Sequence, residues 1–569
     1  MCKIFKLIKI LLQTLFLYIL LFTSSSMSLE KYYRGDSVSK YFSGILSLKE
    51  NRYEDSYKFL KNLTNLEDNH SEYSKSYIEA LVNNAKINEA FKYSIKLKKK
   101  NVNFFQSDIV IISKFIKSND FIKSYDFLVS NNNANTPLQE LLRQIIFSWV
   151  QVEKYKLNYS DALKVFQQVS PKYKNINKIN NVFLNCYYET LNVETKFLNL
   201  INDQDTDFSR YTFFYADYLI KKNLTDKANS ILEKKLIDVP RNLLLNQFYS
   251  DINQKKKNYL QNNFNCNNIS HIISELFYIT ANALSTQGLY SLSNFYINLA
   301  KYLNQNFFSY NTLLAENFIG IEDYRKAIQI YQVLKKYGEH YSWHSAKQIA
   351  LIDSEKLKTE KAIKILEKNY KNLDLPNVYQ TYDLAQFLKN NQKFKQSIKY
   401  YSKVLQNISK THELYPKAKD GRGIAYEQTG EWPKAEIDFL DSLKAKPNQA
   451  YVLNYLAYSW IEKGINIDKS LKMLEKADQL RSNDGYITDS LGWALYKLKK
   501  YKKAKEFLKK AVQLMPSDPI VNDHFADSLW MNGKKLQARY YWKYVLGLED
   551  VEEDLKNKIM NKILNGPAT

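Results

Sequence analysis

The chain has 569 residues and a formal net charge of +23, with 45% hydrophobic residues, 14 glycines and 10 prolines. So few turn-forming residues exclude an all-β fold, which needs many turns. A single compact domain of this length would normally split, yet no Pro-, Gly- or Ser-rich linker divides the chain, so its composition favours a helical array that grows by adding repeats.

Residues 1–28 have the pattern of a secretory signal peptide. Three lysines precede an apolar run at residues 10–22, and serines follow that run. This order of charge, apolar core and small residues predicts export, with cleavage near Ser26 or Ser28. An uncleaved segment that anchors the protein in the inner membrane is the alternative, and it would be the only contact with a membrane. In both cases we expect a periplasmic protein.

Residues 29–270 carry a weak repeat, in which an anchor residue is followed 12 positions later by a small residue. The pairs are Gly44 with Ser56, Ile78 with Ala90, Ile112 with Ser124, Val150 with Ala162, and Ala216 with Ala228. Residues 170–207 and 241–270 are predicted to hold helices without a clean repeat, and the Asn-rich residues 258–270 are expected to form a loop. We predict a diverged helical array here. It either continues into the next array as one superhelix or forms a separate one.

Residues 271–550 repeat regularly, in steps of 34 to 38 residues. Small anchor residues recur at Ala281, Ala315, Ala350, Ala385, Gly423, Ala457, Gly492 and Ala526. Each is followed 12 or 13 positions later by a small partner, at Ser293, Ala327, Ala362, Ser397, Ala435, Ser470, Ala504 and Ala538. Small side chains at both places let two antiparallel helices approach closely. Eight helix pairs are therefore predicted, and the amphipathic residues 551–569 are expected to cap the last pair.

The repeat unit at residues 421–448 resembles the tetratricopeptide repeat, whose pattern combines Gly and Tyr in the first helix, Ala-x3-Phe in the second, and a final Pro. The matching residues are Gly423, Tyr426, Ala435, Phe439 and Pro447, while Lys419 stands where the family has its first Trp. The resemblance implies an all-α, right-handed superhelical solenoid that binds other proteins. Together, the export pattern, the diverged N-terminal array and the closing repeats at residues 487–530 resemble bacterial envelope adaptors that deliver substrates to a carboxy-terminal processing protease. Those adaptors are lipoproteins, and this chain has no cysteine placed just after its apolar run, where the lipid would be attached.

After cleavage of the signal segment, Cys186 and Cys266 are the cysteines that remain. They are 80 residues apart, which is more than two repeat lengths. Stacked repeats hold such positions farther apart than the Cα separation that a disulfide spans. We therefore predict two free or buried thiols.

The sequence holds no Gly-rich phosphate loop, His-Glu-x-x-His, Cys-x-x-Cys or Gly-x-Ser-x-Gly motif. His340 and His344 have the spacing of metal ligands on a helix but lack a third ligand, so capping or packing is expected for them. The adjacent Asp523 and His524 point in different directions on a helix and cannot readily act as an acid–base pair. We predict no enzyme activity, no cofactor and no metal site.

A partner-binding groove is predicted on the first helices of the last three repeats. Positions three before, one after and four after each anchor should face the concave side of the solenoid. The candidate docking face consists of Tyr455, Tyr458, Asp489, Trp493, Tyr496, Lys497, Asp523, Asp527 and Trp530. Aromatic side chains with charged neighbours suit an extended peptide or an exposed helix of a partner. The alternative is that some of these residues pack between repeats.

The sequence therefore predicts a non-catalytic scaffold or adaptor of the bacterial cell envelope, whose partners are proteins such as an envelope protease or assembly machinery. A scaffold for outer-membrane or exported-polysaccharide assembly is an alternative. A binder of an anionic polymer such as nucleic acid is a third, because the net charge is positive. The lysines are spread over many helices and the chain carries an export pattern, so no nucleic-acid partner is expected.

Overall fold

A computed structural model describes residues 35–63, 71–254, 262–356, 358–549 and 551–567. These ranges contain thirty α-helices and no β-strand, apart from an isolated bridge between Asn262 and Phe307. The prediction of an all-α fold is confirmed. Within the same ranges, no helix is long and apolar enough to cross a membrane. The predicted signal segment, residues 1–28, lies outside them.

The chain divides into two compact units, Met1–Tyr341 and Ser342–Thr569. The helices of the first unit are α1 (Gly35–Lys49), α2 (Tyr53–Leu60), α3 (Ser71–Asn83), α4 (Ile87–Lys99), α5 (Phe105–Lys117), α6 (Phe121–Ser130), α7 (Pro137–Tyr155), α8 (Tyr159–Gln167), α9 (Lys174–Tyr187), α10 (Val193–Ile201), α11 (Arg210–Lys221), α12 (Thr225–Asp238), α13 (Leu243–Asn253), α14 (Ile269–Ser285), α15 (Tyr290–Leu303), α16 (Tyr310–Gly320) and α17 (Tyr324–Leu334).

The boundary between the units falls within α18 (Glu339–Glu355). The helices of the second unit are α19 (Thr359–Lys371), α20 (Val378–Asn390), α21 (Phe394–Gln406), α22 (Leu414–Gln428), α23 (Trp432–Ala445), α24 (Ala450–Glu462), α25 (Ile467–Leu480), α26 (Gly485–Lys497), α27 (Tyr501–Leu514), α28 (Pro519–Met531), α29 (Lys535–Leu546) and α30 (Glu553–Asn565). The last of these is the predicted capping helix.

The small residues of the regular array lie at the contacts between paired helices. All six alanine anchors and all eight small partners have no exposed surface. At the two glycine anchors the helices come closer still, because a Cβ on Gly423 would lie 2.8 Å from Phe439 and one on Gly492 would lie 2.6 Å from Leu508. Close packing of this kind is what the repeat spacing predicts, and the predicted helix pairs are confirmed.

The weaker N-terminal repeat also forms helix pairs, and consecutive helices from α1 to α12 contact each other two by two. Its small partners Ser56, Ala90, Ser124, Ala162 and Ala228 are fully buried. Helices α9 and α10 form a further pair in the region where helices without a clean repeat were predicted. Of the predicted loop at residues 258–270, residues 262–268 are not helical, Ile269 and Ser270 already belong to α14, and residues 258–261 lie outside the described ranges. The predicted division at residue 270 concerns the regularity of the repeats and stays a prediction.

The first unit closes on itself, because its early helices contact α14, α15 and α16. Helices α3 and α5 both pack against α15. The Ser291 hydroxyl of α15 donates a hydrogen bond to Glu79 of α3 at 2.6 Å, and the Asn83 amide donates to the Ser291 carbonyl at 3.3 Å. Farther along, the Lys117 ammonium of α5 donates to the Leu303 carbonyl at 3.0 Å. This unit is therefore more than a stack in which each repeat meets only its neighbours.

The prediction of two free thiols is wrong, since Cys186 and Cys266 form a disulfide with their Cα atoms 5.9 Å apart. The predicted separation of the two thiols applies only if both cysteines lie in stacked repeats. Instead, residues 262–268 fold back over α9 and α11, where the Phe264 ring packs 5.2 Å from Phe183 and 4.4 Å from Phe214. This return of the chain brings Cys266 to the end of α9.

Candidate partner-binding groove

An open groove of about 420 Å³ lies within the second unit. Its wall is formed by the end of α22, by α24 and α26, and by the start of α28. These are the first helices of four successive repeats, and the repeat spacing sets them side by side. We call this feature the groove. It lies where the sequence predicts a docking face, but only part of that face lines it.

Two carboxylates fix the mouth of the groove by capping helices. Asp484 accepts a hydrogen bond from the Ile487 amide at the start of α26, and Asp518 accepts from the Ile520 and Val521 amides at the start of α28. An N-cap of this kind sets where a helix begins. Two residues beyond each cap stand Tyr486, which is 61% exposed, and Ile520, which is 43% exposed. Both line the groove and present apolar surface at its mouth.

Three of the nine predicted residues line the groove: Tyr455, Tyr458 and Asp489. Burial raises the pKa of Tyr455, and its hydrogen bond to Glu427 raises it further. Burial also raises the pKa of Tyr458, with the charges of Glu462 and Asp489 adding to the effect. Both phenols therefore stay neutral, and they offer aromatic surface beside carboxylates.

Trp493, Tyr496 and Lys497 form a packed stack next to the groove and do not line it. The Trp493 ring lies parallel to Tyr496 at a centroid distance of 4.8 Å, and the Lys497 ammonium lies 4.9 Å from the Trp493 centroid. The Trp493 indole N–H donates to Glu462 at 2.6 Å. Only 9% of Trp493 is exposed. Packing between repeats thus accounts for its contacts, and a role of these three in docking stays a prediction.

The other face of Trp493 stacks on His524 of the next repeat, at a centroid distance of 3.9 Å. His524 is buried, and its Nδ1 lies 2.9 Å from Asp489. Burial alone would lower the pKa of His524, but the charges of Asp489 and of the more distant Asp523 and Asp527 outweigh it and raise the pKa. His524 thus pairs with Asp489, a carboxylate one repeat upstream. It does not pair with its neighbour Asp523, as the sequence predicts.

Asp523, Asp527 and Trp530 are covered by the capping helix α30. The Lys562 ammonium donates to Asp523 at 2.7 Å and to Asp527 at 2.8 Å. The pKa of Asp527 is raised to about 6, first by burial and then by the charge of Asp523, while Lys562 opposes both effects. Trp530 lies against Gly566, just after α30, where a Cβ would come within 2.5 Å of the ring. The structure does not bring these three residues to the groove.

The wall residues that the prediction missed include Glu427, Glu462, Tyr486 and Ile520. Glu427 lies four positions after Gly423, so the same positional rule would have found it one repeat earlier. Tyr486 and Ile520 each lie six positions before an anchor, where the preceding repeat has the exposed Tyr451. A recurring exposed apolar residue at the first turn was the available signal.

Charge is divided unequally between the two kinds of helix in the last three repeats. The first helices α24, α26 and α28 carry Glu462, Asp489, Asp523 and Asp527 against one cation, Lys497. Among the second helices, α25 carries three lysines and three acids, α27 carries five lysines against one glutamate, and α29 carries three cations and no acid. Four acidic residues and one lysine line the groove, so it is an acidic surface on a strongly basic protein.

The histidines singled out for metal spacing lie on α18. The His340 amide N–H donates to the Gln247 side chain at 2.9 Å, which is a packing contact. The pKa of His344 is lowered to about 4, first by burial and then by the charge of Lys347, while Asp383 opposes both effects. Among the residues that the structure describes, no three His, Cys, Asp or Glu side chains converge as metal ligands would.

Comparison with known proteins gives a match for the repeat region. Residues 288–551 match the family model described as "Tetratricopeptide repeat". A curated relative, "TPR repeat-containing protein PA4667" of Pseudomonas aeruginosa, is 27% identical over 99 residues. That stretch is 17% of this chain and 17% of the relative, so the chain spans about a sixth of the relative's length.

Solved structures are similar over about a third of the chain. A tetratricopeptide repeat protein from Parabacteroides merdae is 17% identical with a TM-score of 0.32, covering 39% of this chain and 85% of that one. MamA from Desulfovibrio magneticus RS-1 is 18% identical with a TM-score of 0.28, covering 31% of this chain and 97% of that one. PilF of Pseudomonas aeruginosa is 19% identical with a TM-score of 0.28, covering 31% and 79%.

Proposed function

We propose that this chain, whose residues 288–551 match the tetratricopeptide-repeat family model, is a non-catalytic scaffold of the cell envelope that docks a partner protein in the groove. The main support for this proposal is the groove, a preformed cavity of about 420 Å³ between successive first helices. A preformed receptor loses little conformational freedom on binding, so many modest contacts along it can add up to useful affinity. Repeats of this family bind protein partners, which supports the proposal.

Export of the protein is part of this proposal. The lysine-rich start and apolar run of residues 1–28 have the pattern of a signal peptide. The disulfide between Cys186 and Cys266 supports export as well, because such bonds persist mainly in oxidising compartments such as the periplasm. The same N-terminal segment would serve as an inner-membrane anchor if it stayed uncleaved.

The more specific role proposed is that of an adaptor that presents substrates to an envelope protease. It rests on the resemblance of the closing repeats to such adaptors. A scaffold for outer-membrane or polysaccharide assembly would use the same groove for another cargo. The two roles differ in the protein that is captured, so identification of the captured partner separates them.

Crosslinking in intact cells tests the docking site. A photoreactive amino acid replaces Tyr486 at the groove mouth, and a control variant carries it at the exposed Lys509 on α27. We expect one or a few envelope proteins to be captured at position 486 and not at 509, as identified by mass spectrometry. Equal capture at both positions would show that the groove is not the docking site. Capture of cytoplasmic proteins alone would contradict export.

A further inference from the structure

The groove wall offers hydrogen-bond acceptors and negative charge. Glu427, Glu462, Asp489 and Asp518 line it, against the single lysine Lys463. The Asn454 side-chain oxygen is buried in the same wall and accepts no hydrogen bond within the described residues. A buried acceptor without a donor costs free energy until a ligand supplies an N–H or O–H group. The occupant that suits this wall therefore brings donors and positive charge.

The large positive charge of the protein does not cancel this preference. The lysines of α27 lie on a second helix, and the groove is lined by first helices, so about one helix diameter of 10 Å separates the two surfaces. Physiological salt screens charges over about 8 Å. A ligand in the groove thus experiences mainly the wall carboxylates. Outer lysines repel it weakly.

The aromatic side chains of the groove suit a cation carried on an apolar stem. Tyr458 and Tyr486 line it together with Ile520. The face of a tyrosine ring attracts a guanidinium or ammonium group, and the apolar edges pack against the methylene stem of arginine or lysine. Arginine can make both the ring contact and the apolar contact, and its planar guanidinium carries several N–H donors that suit the two oxygens of each wall carboxylate.

In the next repeat, a lysine of the chain itself binds a carboxylate at the equivalent position. Asp523 occupies the position equivalent to Asp489, 34 residues later. There Lys562 places its ammonium between Asp523 and Asp527, at 2.7 and 2.8 Å. A carboxylate at this position of a first helix therefore already binds a cationic side chain at the capped end of the array. Asp489 itself pairs with His524 and lines the open groove.

We propose that the groove takes a basic peptide segment of the partner protein, with arginine or lysine side chains that contact Glu427, Glu462 and the Asn454 oxygen. This inference rests on the proposed function and names the chemistry of its partner. It predicts that a cationic peptide binds this basic protein in preference to an anionic one, which is the reverse of the order that net charge alone would give.

The test uses the full chain and two fluorescein-labelled peptides of equal length, oligoarginine and oligoglutamate, with binding followed by fluorescence anisotropy. We expect oligoarginine to bind more tightly and its affinity to fall at least about tenfold in Glu462→Gln, because hydrogen bonds to charged groups contribute about 1.5–3 kcal/mol each. Glutamine keeps an oxygen that can accept from the Trp493 indole, so the fold should be preserved.

Glu436→Gln is the matched control. Glu436 also accepts a tryptophan N–H, from Trp460 at 2.6 Å, but it does not line the groove. Its affinity for oligoarginine should match that of the unaltered protein, and thermal unfolding should be alike in both variants. An equal loss in the two variants would overturn the inference, because the loss would then be structural.

The other outcomes separate this inference from the proposed function. If oligoglutamate binds more tightly than oligoarginine, or if neither peptide binds, the basic-peptide inference is overturned. Specific crosslinking at position 486 would still support the docking role in that case. Salt-sensitive self-association that Glu462→Gln abolishes would identify a second copy of this chain as the occupant and would also overturn it. Loss of specific crosslinking at 486 would end both.

Discussion

At the scale of single residues, the anchor glycine of the repeat sets how closely two helices approach. A Cβ on Gly492 would lie 2.6 Å from the Leu508 side chain and 3.1 Å from its backbone nitrogen. The leucine could move its side chain, but α27 itself would have to shift to relieve the second contact. Overpacking of this kind typically costs about 1–3 kcal/mol.

We therefore expect Gly492→Val to lower the free energy of unfolding of the second unit by about 1–3 kcal/mol, as measured by urea denaturation. Gly547 provides the control, because it is exposed and a Cβ there meets nothing closer than 3.4 Å. Gly547→Val should change stability by less than about 0.5 kcal/mol. Similar effects of the two substitutions would contradict the role of the anchor in helix packing.

The buried pair of His524 and Asp489 makes stability depend on pH. The pKa of His524 is raised in the folded protein above its ordinary value of 6.5, by facing carboxylates that outweigh burial. The folded state thus holds the proton more tightly than the unfolded state. The stability from this pair is fully present below about pH 6.5 and is lost as pH rises through the raised pKa.

Comparison with His524→Gln isolates this contribution. The difference in free energy of unfolding between the unaltered protein and the variant should shrink from about pH 6 to about pH 9, by about 1.4 kcal/mol for each unit of raised pKa. Tryptophan fluorescence follows the unfolding, because Trp493 stacks on this histidine. A difference that stays constant over this range would show that His524 does not titrate there.

At the scale of helices, α30 does more than cover an apolar surface. It supplies Lys562 to two buried carboxylates, of which Asp527 is 2% exposed and Asp523 is 6% exposed. Removing the cation leaves two like charges facing each other away from water, and breaking such a buried pair costs about 3–5 kcal/mol. Lys556 on the same helix pairs with exposed Glu553 at 3.7 Å, and exposed pairs contribute little.

Lys562→Met should therefore destabilise the C-terminal repeat by about 3 kcal/mol, with faster amide hydrogen exchange in α28 and α29. Lys556→Met should leave exchange in both helices unchanged. Adding Asp523→Asn and Asp527→Asn to Lys562→Met should restore most of the protection, because the repulsion is then absent. Failure of that rescue would indicate that Lys562 acts through packing and not through charge.

Helix pairing was predictable from the sequence and the candidate site only partly so. The pairing follows from Ala457, Gly492 and their partners, because helices that approach closely at a fixed spacing need small residues at that spacing. The facing rule turned Asp523 and Trp530 toward the concave side but took no account of α30, which covers them. Trp493 lies beside the groove and does not line it, and the sequence could not show this because a buried stack and an open aromatic face share the same helical spacing.

At the scale of the whole first unit, closure depends on contacts between helices far apart in sequence. Glu79 of α3 and Ser291 of α15 are 212 residues apart and hydrogen-bonded at 2.6 Å. A repeat spacing within the sequence cannot reveal a contact between residues so far apart. The arrangement of the N-terminal array was therefore not predictable from the sequence. The same holds for Cys266, whose position depends on the path of residues 262–268.

A double-mutant cycle of Glu79→Ala and Ser291→Ala tests the closure. In a closed unit the two substitutions should be coupled by about 1 kcal/mol, the usual size for a hydrogen bond between neighbours. An open stack would hold these residues too far apart for coupling. Asn88, which accepts from Lys114 and does not contact Ser291, gives the control, and Asn88→Ala should be additive with Ser291→Ala. Additivity in both cycles would contradict the closed arrangement.

The disulfide constrains the same unit, and its effect should be confined there because Ser342–Thr569 contains no cysteine. A crosslink across 80 residues removes conformational freedom from the unfolded chain, so reduction should lower the stability of the first unit by about 2–4 kcal/mol. Hydrogen exchange should then quicken in α9 and α14 and stay unchanged in α24. Cys186→Ser should show the fast exchange in α9 and α14 without reductant. If reduction instead left α9 and α14 protected, the burial of Phe264 against Phe183 and Phe214 would be sufficient to hold residues 262–268 in place.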